Sequence, residues 1–333
     1  MSMQRKLCDI LVCPECQGGL DLIADPGSDE TVESGSLSCL HCGKDYPVRK
    51  GIPRFVSDDE DYCRSFGWQW ARFRHTQIDA FNGTDESARR FRAETGWQPS
   101  ELQGLMALDA GCGAGRFSAV TCEWGARVLA VDLTSGAVEA CARNMHELAY
   151  DVDVVQASLY RLPFRPNTFD RVFSLGVLHH TPDPNRAMRT LPLLLKPGGE
   201  LAYWIYEKRW TRFLMLRNYL RWITRRLPLK ATYALTGALV SFFFPLTLAL
   251  SRVPHLRRAL PLLPIASRHG RGSLSLRQQW EWTLLDTFDS YSPIYEFPQS
   301  EVHVRAALLA AGLEEVHRTS ARGMAIVGRK PKN

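Results

Sequence analysis

An α/β fold is the class this sequence predicts: a doubly wound, seven-stranded sheet, with a cysteine-rich module ahead of it and a basic, apolar helical insertion near its end. Three observations carry the prediction. The stretch Leu108-Asp-Ala-Gly-Cys-Gly-Ala-Gly115 is an apolar strand end running into three glycines spaced two apart, which marks a ligand-receiving loop at the carboxyl edge of a parallel sheet. Strand-like and helix-like segments alternate after it, as parallel crossovers require. Two Cys-x-x-Cys pairs stand near the N-terminus. At 333 residues the chain can bury one full core and carry a smaller module besides.

Residues 1–57 read as a zinc ribbon. Cys13-Pro-Glu-Cys16 and Cys39-Leu-His-Cys42 each present two sulfurs from a tight knuckle, and two knuckles complete a tetrahedron around zinc. The long gap between the pairs is absorbed by a hairpin tip around Asp25 to Glu30, and His41 is expected on the solvent side rather than as a ligand. Four thiolates leave no open coordination position, so the metal is expected to be structural, holding a module too short for its own core. Redox use of the pairs lacks a thioredoxin-like strand-helix context. Nine cysteines, an odd number with five of them scattered, do not form a disulfide framework and agree with a reducing compartment. Asp9 interrupts the apolar run of Met1 to Val12, so a secretory h-region is missing and a cytoplasmic location is expected.

Residues 58–104 form an aromatic linker. Ser65 to Ile78 is expected to be helical, either folding over the neighbouring crevice through Trp68, Gln69 or Arg72, or docking a stripe of Phe66, Trp70 and Phe73 on the core.

Residues 105–206 hold the ligand-binding half of the sheet. A dinucleotide fingerprint needs its third glycine one residue later, where this chain has Arg116, which argues against NAD or FAD. Asp109, just before the glycines, would repel a pyrophosphate and attract the ammonium of an amino-acid-bearing cofactor, and S-adenosylmethionine has that ammonium and no phosphate. Ala126 to Val131 reads as the next strand and ends in Asp132, the position from which an acid accepts hydrogen bonds from both ribose hydroxyls. Val152 to Gln156 is a third strand. Phe169 to Leu175 is a buried fourth, emptying into His179 and His180; Pro182 to Leu195 is a helix; and Lys196-Pro-Gly-Gly199 turns into a fifth strand, Glu200 to Tyr206.

Residues 207–283 are the insertion. From Lys208 to Trp280 there is no Asp or Glu but fourteen Lys or Arg, against +6 for the whole chain, which leaves the remainder at −8. Arg217, Arg221 and Arg225 recur every fourth residue, while Tyr219, Leu220, Trp222 and Ile223 fill the opposite arc, the pattern of an interfacial helix. Ala231 to Ser251 has no charge and is long enough to span a bilayer, yet Pro245 and arginines on both sides disfavour a simple span. A helical hairpin dipping into a membrane surface, or enclosing a long apolar substrate, fits this segment, with a buried helical cap as the alternative. In residues 284–333, Asp286 to Tyr295 returns the chain to the sheet, with Tyr291 and Tyr295 either lining a pocket or packing as a strap. Leu313 to Lys330 reads as a closing hairpin.

Motif by motif, this order resembles the class I S-adenosylmethionine-dependent methyltransferases, of which Leu105 to Tyr206 covers the cofactor half without a gap, close to the quinone-biosynthesis and small-molecule branch. The N-terminal module, with Gly43 to Phe55, is similar to the small activator subunit of tRNA and translation-factor methyltransferases, here fused. The resemblance implies a Rossmann-like sheet and S-adenosylmethionine held by Asp109, Gly111, Cys112, Gly113, Gly115, Asp132, Leu133, Ser158, Leu159 and Leu175. The family usually has an acid where Ser158 stands, so the adenine contact there is weakened, though the Leu159 amide can still serve.

Methyl transfer needs the acceptor held close and water excluded, with a base only if the acceptor loses a proton. His179 and His180, at the carboxyl end of the fourth strand, are the candidates for that base; otherwise they cap the loop or pack on the cofactor. No Asn-Pro-Pro-Tyr sequence or Pro-Cys nucleophile follows that strand, which disfavours amide, exocyclic-amine and pyrimidine carbon-5 methylation. The expectation is an enzyme acting at oxygen or carbon on a small-molecule or lipid-linked acceptor, peripheral on an anionic membrane through 208–280. An rRNA or tRNA methyltransferase and a non-catalytic cofactor-binding scaffold are the alternatives. Aliphatic runs between the basic residues speak against nucleic acid.

Overall fold

The computed structural model describes residues 2–24, 30–56, 61–210, 215–253, 255, 257, 260, 262–267, 273–320 and 323–332. The expected hairpin tip at 25–29 and parts of the insertion lie outside them.

Seven strands form the central sheet: β1 (Met106–Ala110), β2 (Arg127–Asp132), β3 (Val152–Gln156), β4 (Phe169–Leu175), β5 (Leu195–Ile205), β6 (Glu314–Ser320) and β7 (Met324–Arg329). Their order is β6-β7-β5-β4-β1-β2-β3, parallel except for β7, which runs antiparallel to both neighbours. The chain reverses its direction of travel across the sheet between β1 and β4, so a crevice opens at their carboxyl ends. Both strands are buried on both faces, which is why they read as apolar runs. β5 begins five residues before the expected Glu200, because Lys196-Pro-Gly-Gly199 stays in the sheet across a register shift against β4. The preceding helix is shorter than expected: it runs Pro184–Thr190 and tightens to a 3₁₀ turn at Leu191–Leu194, where Pro192 has no N–H to donate.

The N-terminal module is a four-stranded antiparallel sheet of Leu20–Ala24, Ser34–Cys39, Asp45–Arg49 and Ile52–Pro53. Its apolar side is continuous with the main core: Leu7, Leu11, Leu37 and Val48 share one buried cluster with Leu129, Val131, Val155 and Phe164. Main-chain bonds stitch the two together, with Val12 N–H donating to Pro163 O at 2.9 Å and Phe55 N–H to Gln156 O at 2.8 Å.

The linker helix spans Arg64–Arg72 and stops short of the expected Ile78. Phe73 N–H closes the last helical turn on Gln69 O, after which Thr76 N–H turns back to Phe73 O and Asn144 Nδ2 donates to Arg74 O at 3.0 Å. The helix lies close on the helix Ser135–Glu147, where a Cβ on Gly136 would come within 2.2 Å of Gly67 O.

The insertion contributes the helices Leu216–Thr224 and Leu229–Ser251. The second buries Thr232, Thr236, Val240, Phe244 and Thr247, a stripe at helical spacing that packs on the helix Leu276–Tyr291. Pro245 sits inside it without breaking it.

Candidate functional site

At the crevice between β1 and β4 lies a cavity of about 520 Å³, within the range of small-molecule sites. Its floor is the glycine loop. Gly111 has φ +92°, and a Cβ there would meet Val177 Cγ2 at 2.4 Å, so the loop can pass under the end of β4 only without a side chain. Gly113, at φ +54°, lies beneath the indole of Trp70, 2.8 Å from where a Cβ would stand.

Asp132 ends β2 and lines the cavity. Its Oδ2 accepts from Gly113 N–H at 3.0 Å, and its Oδ1 from Thr134 N–H at 3.0 Å. One carboxylate thus ties the glycine loop to the next turn, and burial pushes its pKa up. Leu133, Leu159 and Leu175 supply apolar wall, and Gly111, Cys112 and Gly113 the loop surface.

Four of the cofactor-binding and catalytic candidates, Asp109, Gly115, Ser158 and His179, are not cavity-lining. Asp109 is buried, accepts from Ser118 Oγ at 2.7 Å, and has its pKa pushed up to about 7 by burial. It braces the strand end beneath the loop and is not among the cavity-lining residues. Gly115 packs under the loop against Cys141, and Ser158 is buried in the turn that follows β3, its carbonyl taking Arg161 N–H. His179 is fully buried and stacked on Tyr206 with ring centroids 3.8 Å apart.

The histidine pair is resolved by its hydrogen bonds. His180 lines the cavity, and its Nδ1 lies 3.0 Å from Tyr295 O. A carbonyl only accepts, so Nδ1 carries the proton and a neutral ring has Nε2 as its basic nitrogen. His179 Nδ1 instead accepts from the Tyr206 N–H at 3.3 Å, which puts the proton of a neutral ring on Nε2. Phe66 packs against His180 at 5.0 Å.

The roof departs from the expectation for the linker. Of Trp68, Gln69 and Arg72, only Gln69 lines the cavity, together with Phe66 and Trp70. Trp68 packs on Tyr233 and Phe288, and Arg72 Nε donates to Tyr233 Oη at 2.9 Å. From the cap helix Leu276–Tyr291, Asp286, Asp289 and Ser290 reach the cavity. Tyr291 and Tyr295 do not: Tyr291 is buried with its hydroxyl on Pro264 O, and Tyr295 stacks on Phe297. Segment 293–299 is therefore a packed strap, pinned by Phe297 N–H to His179 O at 2.7 Å. Trp204, Tyr206 and Arg217 also line the cavity and were not singled out as site residues from sequence; strand alternation on β5 is the signal that would have found Trp204.

The four cysteines of the N-terminal module converge, with all sulfurs within 4.8 Å of one another, Cys16–Cys39 at 3.4 Å and Cys13–Cys42 at 3.7 Å. Tetrahedral Zn–S bonds of about 2.3 Å demand sulfur separations near this value, so Cys13, Cys16, Cys39 and Cys42 fit a four-thiolate site. His41 is exposed and outside the cluster.

Among its described residues the insertion exposes large apolar side chains. Along the helix Leu216–Thr224, two of the three stripe arginines turn inward, Arg221 held at 3.4 Å by Glu296 and Arg217 at the cavity, while Arg225 is exposed. Tyr219, Trp222 and Ile223 are 60%, 61% and 52% exposed, and Phe242 on the next helix is 73% exposed. The apolar helix is long enough to cross a bilayer by length and composition.

Residues 108–203 match the family described as a methyltransferase domain, and residues 4–51 match Trm112p-like proteins. The chain is 30% identical over 152 residues to the ubiquinone biosynthesis O-methyltransferase of Methylocella silvestris, covering 44% of this chain and 59% of that protein. It is 34% identical over 129 residues to the protein of the same name from Xanthomonas euvesicatoria, covering 38% and 54%. The chain thus spans little more than half the length of these relatives. Among solved structures, a chain from the complex of the Haloferax volcanii Trm112 methyltransferase activator with a methyltransferase aligns over 83% of this chain and 99% of its own, at 15% identity and a TM-score of 0.45.

Proposed function

We propose that this chain, in which a class I S-adenosylmethionine methyltransferase domain is joined to a Trm112-like module with a four-cysteine cluster, is an enzyme that methylates a hydroxyl or acidic carbon of a small or lipid-linked acceptor. The observation that carries the reading is the cavity itself, whose lining brings a glycine loop, Asp132 and His180 to one space. The cofactor's contribution when bound is an electrophilic methyl group on a sulfonium. Asp132 accepts hydrogen bonds from vicinal hydroxyls, Leu133, Leu159 and Leu175 flank a flat apolar ring system, and Trp70 and Phe66 keep water from the reacting end. His180 takes the acceptor proton at Nε2, while its Nδ1–H bond to Tyr295 O fixes the ring's tautomer and orientation. His179 is a positioning residue, holding Tyr206 and the strap. The cysteine cluster binds zinc in a closed, structural site.

The exposed aromatic and aliphatic face of the insertion, flanked by Arg225, Arg226 and Lys230 with no acid from 208 to 280, supports docking on an anionic membrane. With Arg221 neutralised by Glu296 and Arg217 turned inward, less of the basic stripe is left for a nucleic acid. Sedimentation with liposomes tests this: anionic vesicles pull down the wild type and neutral ones less, whereas Trp222→Ser with Phe242→Ser lowers the bound fraction several-fold. Tight, salt-sensitive RNA binding without lipid affinity would reverse the assignment. For the chemistry, cell extract is incubated with the protein and isotope-labelled methyl donor, and a labelled small metabolite is the expected product. Label found only in RNA, or cofactor bound without turnover in any extract, would overturn the reading.

A further inference from the structure

Among the described residues, no carboxylate pairs with Arg217, which lines the cavity. Its neighbours are matched. Glu94 holds Arg90 at 2.7 Å, Glu207 holds Arg209 at 2.8 Å, and Glu296 holds Arg221 at 3.4 Å. Of the acids facing the same space, Glu207 also pairs with Arg318, while Asp289 and Asp286 accept from the neutral amides of Gln69 and Gln77. Arg217 is half-buried and lines the cavity, yet the hydrogen bond the described residues give it is from Nη2 to the thioether of Met215, at 3.1 Å. A thioether is a weak acceptor, so a guanidinium held there keeps most of its capacity to bind a carboxylate or phosphate. Met215 and Asn218 line the cavity beside it, so the first turn of the helix Leu216–Thr224 adds its partial positive charge to the same spot.

We infer that Arg217 anchors an anionic group of the acceptor, a carboxylate or a phosphate, and so selects anionic acceptors over neutral ones. The inference rests on the methyl-transfer reading of the cavity. It gives the helix Leu216–Thr224 two roles: its inward arginine meets the charged end of the acceptor, and its outward Tyr219 and Trp222 meet apolar surroundings. An acceptor with an anionic head and an apolar tail is the class both faces suit.

Calorimetry on the full chain, saturated with S-adenosylhomocysteine, tests this with three probes: inorganic pyrophosphate, 4-hydroxybenzoate and farnesyl diphosphate. The wild type is expected to bind at least one, and Arg217→Met to weaken that binding tenfold or more while its affinity for S-adenosylhomocysteine stays unchanged. Preference for 4-hydroxybenzoate marks a carboxylate acceptor, and farnesyl diphosphate binding more tightly than pyrophosphate marks a lipid phosphate. The inference is overturned if the wild type binds none of the three, or if Arg217→Met or Arg217→Gln binds them as well as the wild type. Failure of the wild type to bind S-adenosylhomocysteine would instead sink the methyl-transfer reading, whatever the anions do.

Discussion

Two side chains under the crevice make opposite uses of burial. Asp109 is sealed beneath the glycine loop, where its carboxyl keeps a proton up to about pH 7 against an ordinary value of 3.8. The folded state therefore binds that proton more tightly than the unfolded chain, and the stability it contributes is full below pH 3.8 and declines as pH rises through 7. Asp109→Asn keeps an acceptor for Ser118 and cannot ionise, so the unliganded variant should gain on the wild type as pH rises. By pH 8 the gain should be on the order of a few kcal/mol. Thermal melts at pH 5 and pH 8 check it, and a wild-type-minus-variant difference that is the same at both would refute the burial argument. His180 lines the cavity wall. His180→Gln should lower kcat about 10²-fold or more, the usual contribution of a positioned base, with cofactor affinity unchanged. His179→Gln should act through stability and KM, since that ring is buried and touches Tyr206 and the strap. If His179→Gln had the larger effect on kcat and left stability intact, the two assignments would be reversed.

At the scale of elements, the roof of the cavity depends on how closely one helix can lie on another. Gly67 of the linker helix and Gly136 of the helix beneath it meet backbone to backbone, and a methyl on Gly136 would stand 2.2 Å from Gly67 O, an atom that cannot swing aside. Gly136→Ala should push the linker helix outward, lift Trp70 from the glycine loop and open the roof. The expected cost is about 1–3 kcal/mol, with S-adenosylhomocysteine binding weakened several-fold; unchanged calorimetric affinity and melting temperature would show that the contact is not needed. That contact was not legible in the sequence, because neither glycine has a signal apart from its partner. The strands were legible for the opposite reason: β1 to β4 are short apolar runs punctuated by Gly111, Asp132 and Gly176, a pattern set by burial on both faces and readable from each strand alone. The insertion shows the limit between these cases. The spacing of Arg217 and Arg221 gives a stripe, but its direction is decided by Glu296, 75 residues beyond Arg221, and no local periodicity carries that information. The linker helix ends at Arg72, short of the expected Ile78, and the turn beyond it is held by Asn144 on the Arg74 carbonyl, a contact visible only once the two elements touch.

Across the whole molecule, the four-cysteine cluster and the cavity are joined by an unbroken route. The strand pair around Tyr46 and Val48 shares its buried side with β2 and β3. Beyond it, Arg54 donates to Gln156 Oε1 at 2.7 Å and pairs with Glu139 at 3.0 Å, and Gln156 Nε2 donates to Leu133 O at 2.9 Å. Leu133 follows Asp132 on the cavity wall, so the edge strand β3 is supported by the N-terminal module on one side and supports the cavity on the other. Without its metal, the N-terminal module loses the knuckles that set the spacing of its strands, and the apolar side it shares with β2 and β3 is left partly uncovered. Zinc removal should therefore lower the stability of the entire protein instead of fraying a separate N-terminal lobe. Cys39→Ser is expected to bring metal content by elemental analysis from about one per chain toward zero. It should also lower the single melting transition by about 3 °C or more, as the loss of 2 kcal/mol or so would in a chain of this size. Retained metal would count against a four-thiolate site. An early, separate melt of the ribbon with the sheet transition unmoved would show that the shared core is too weak to couple the two, and that the support reaching Leu133 through Gln156 is dispensable.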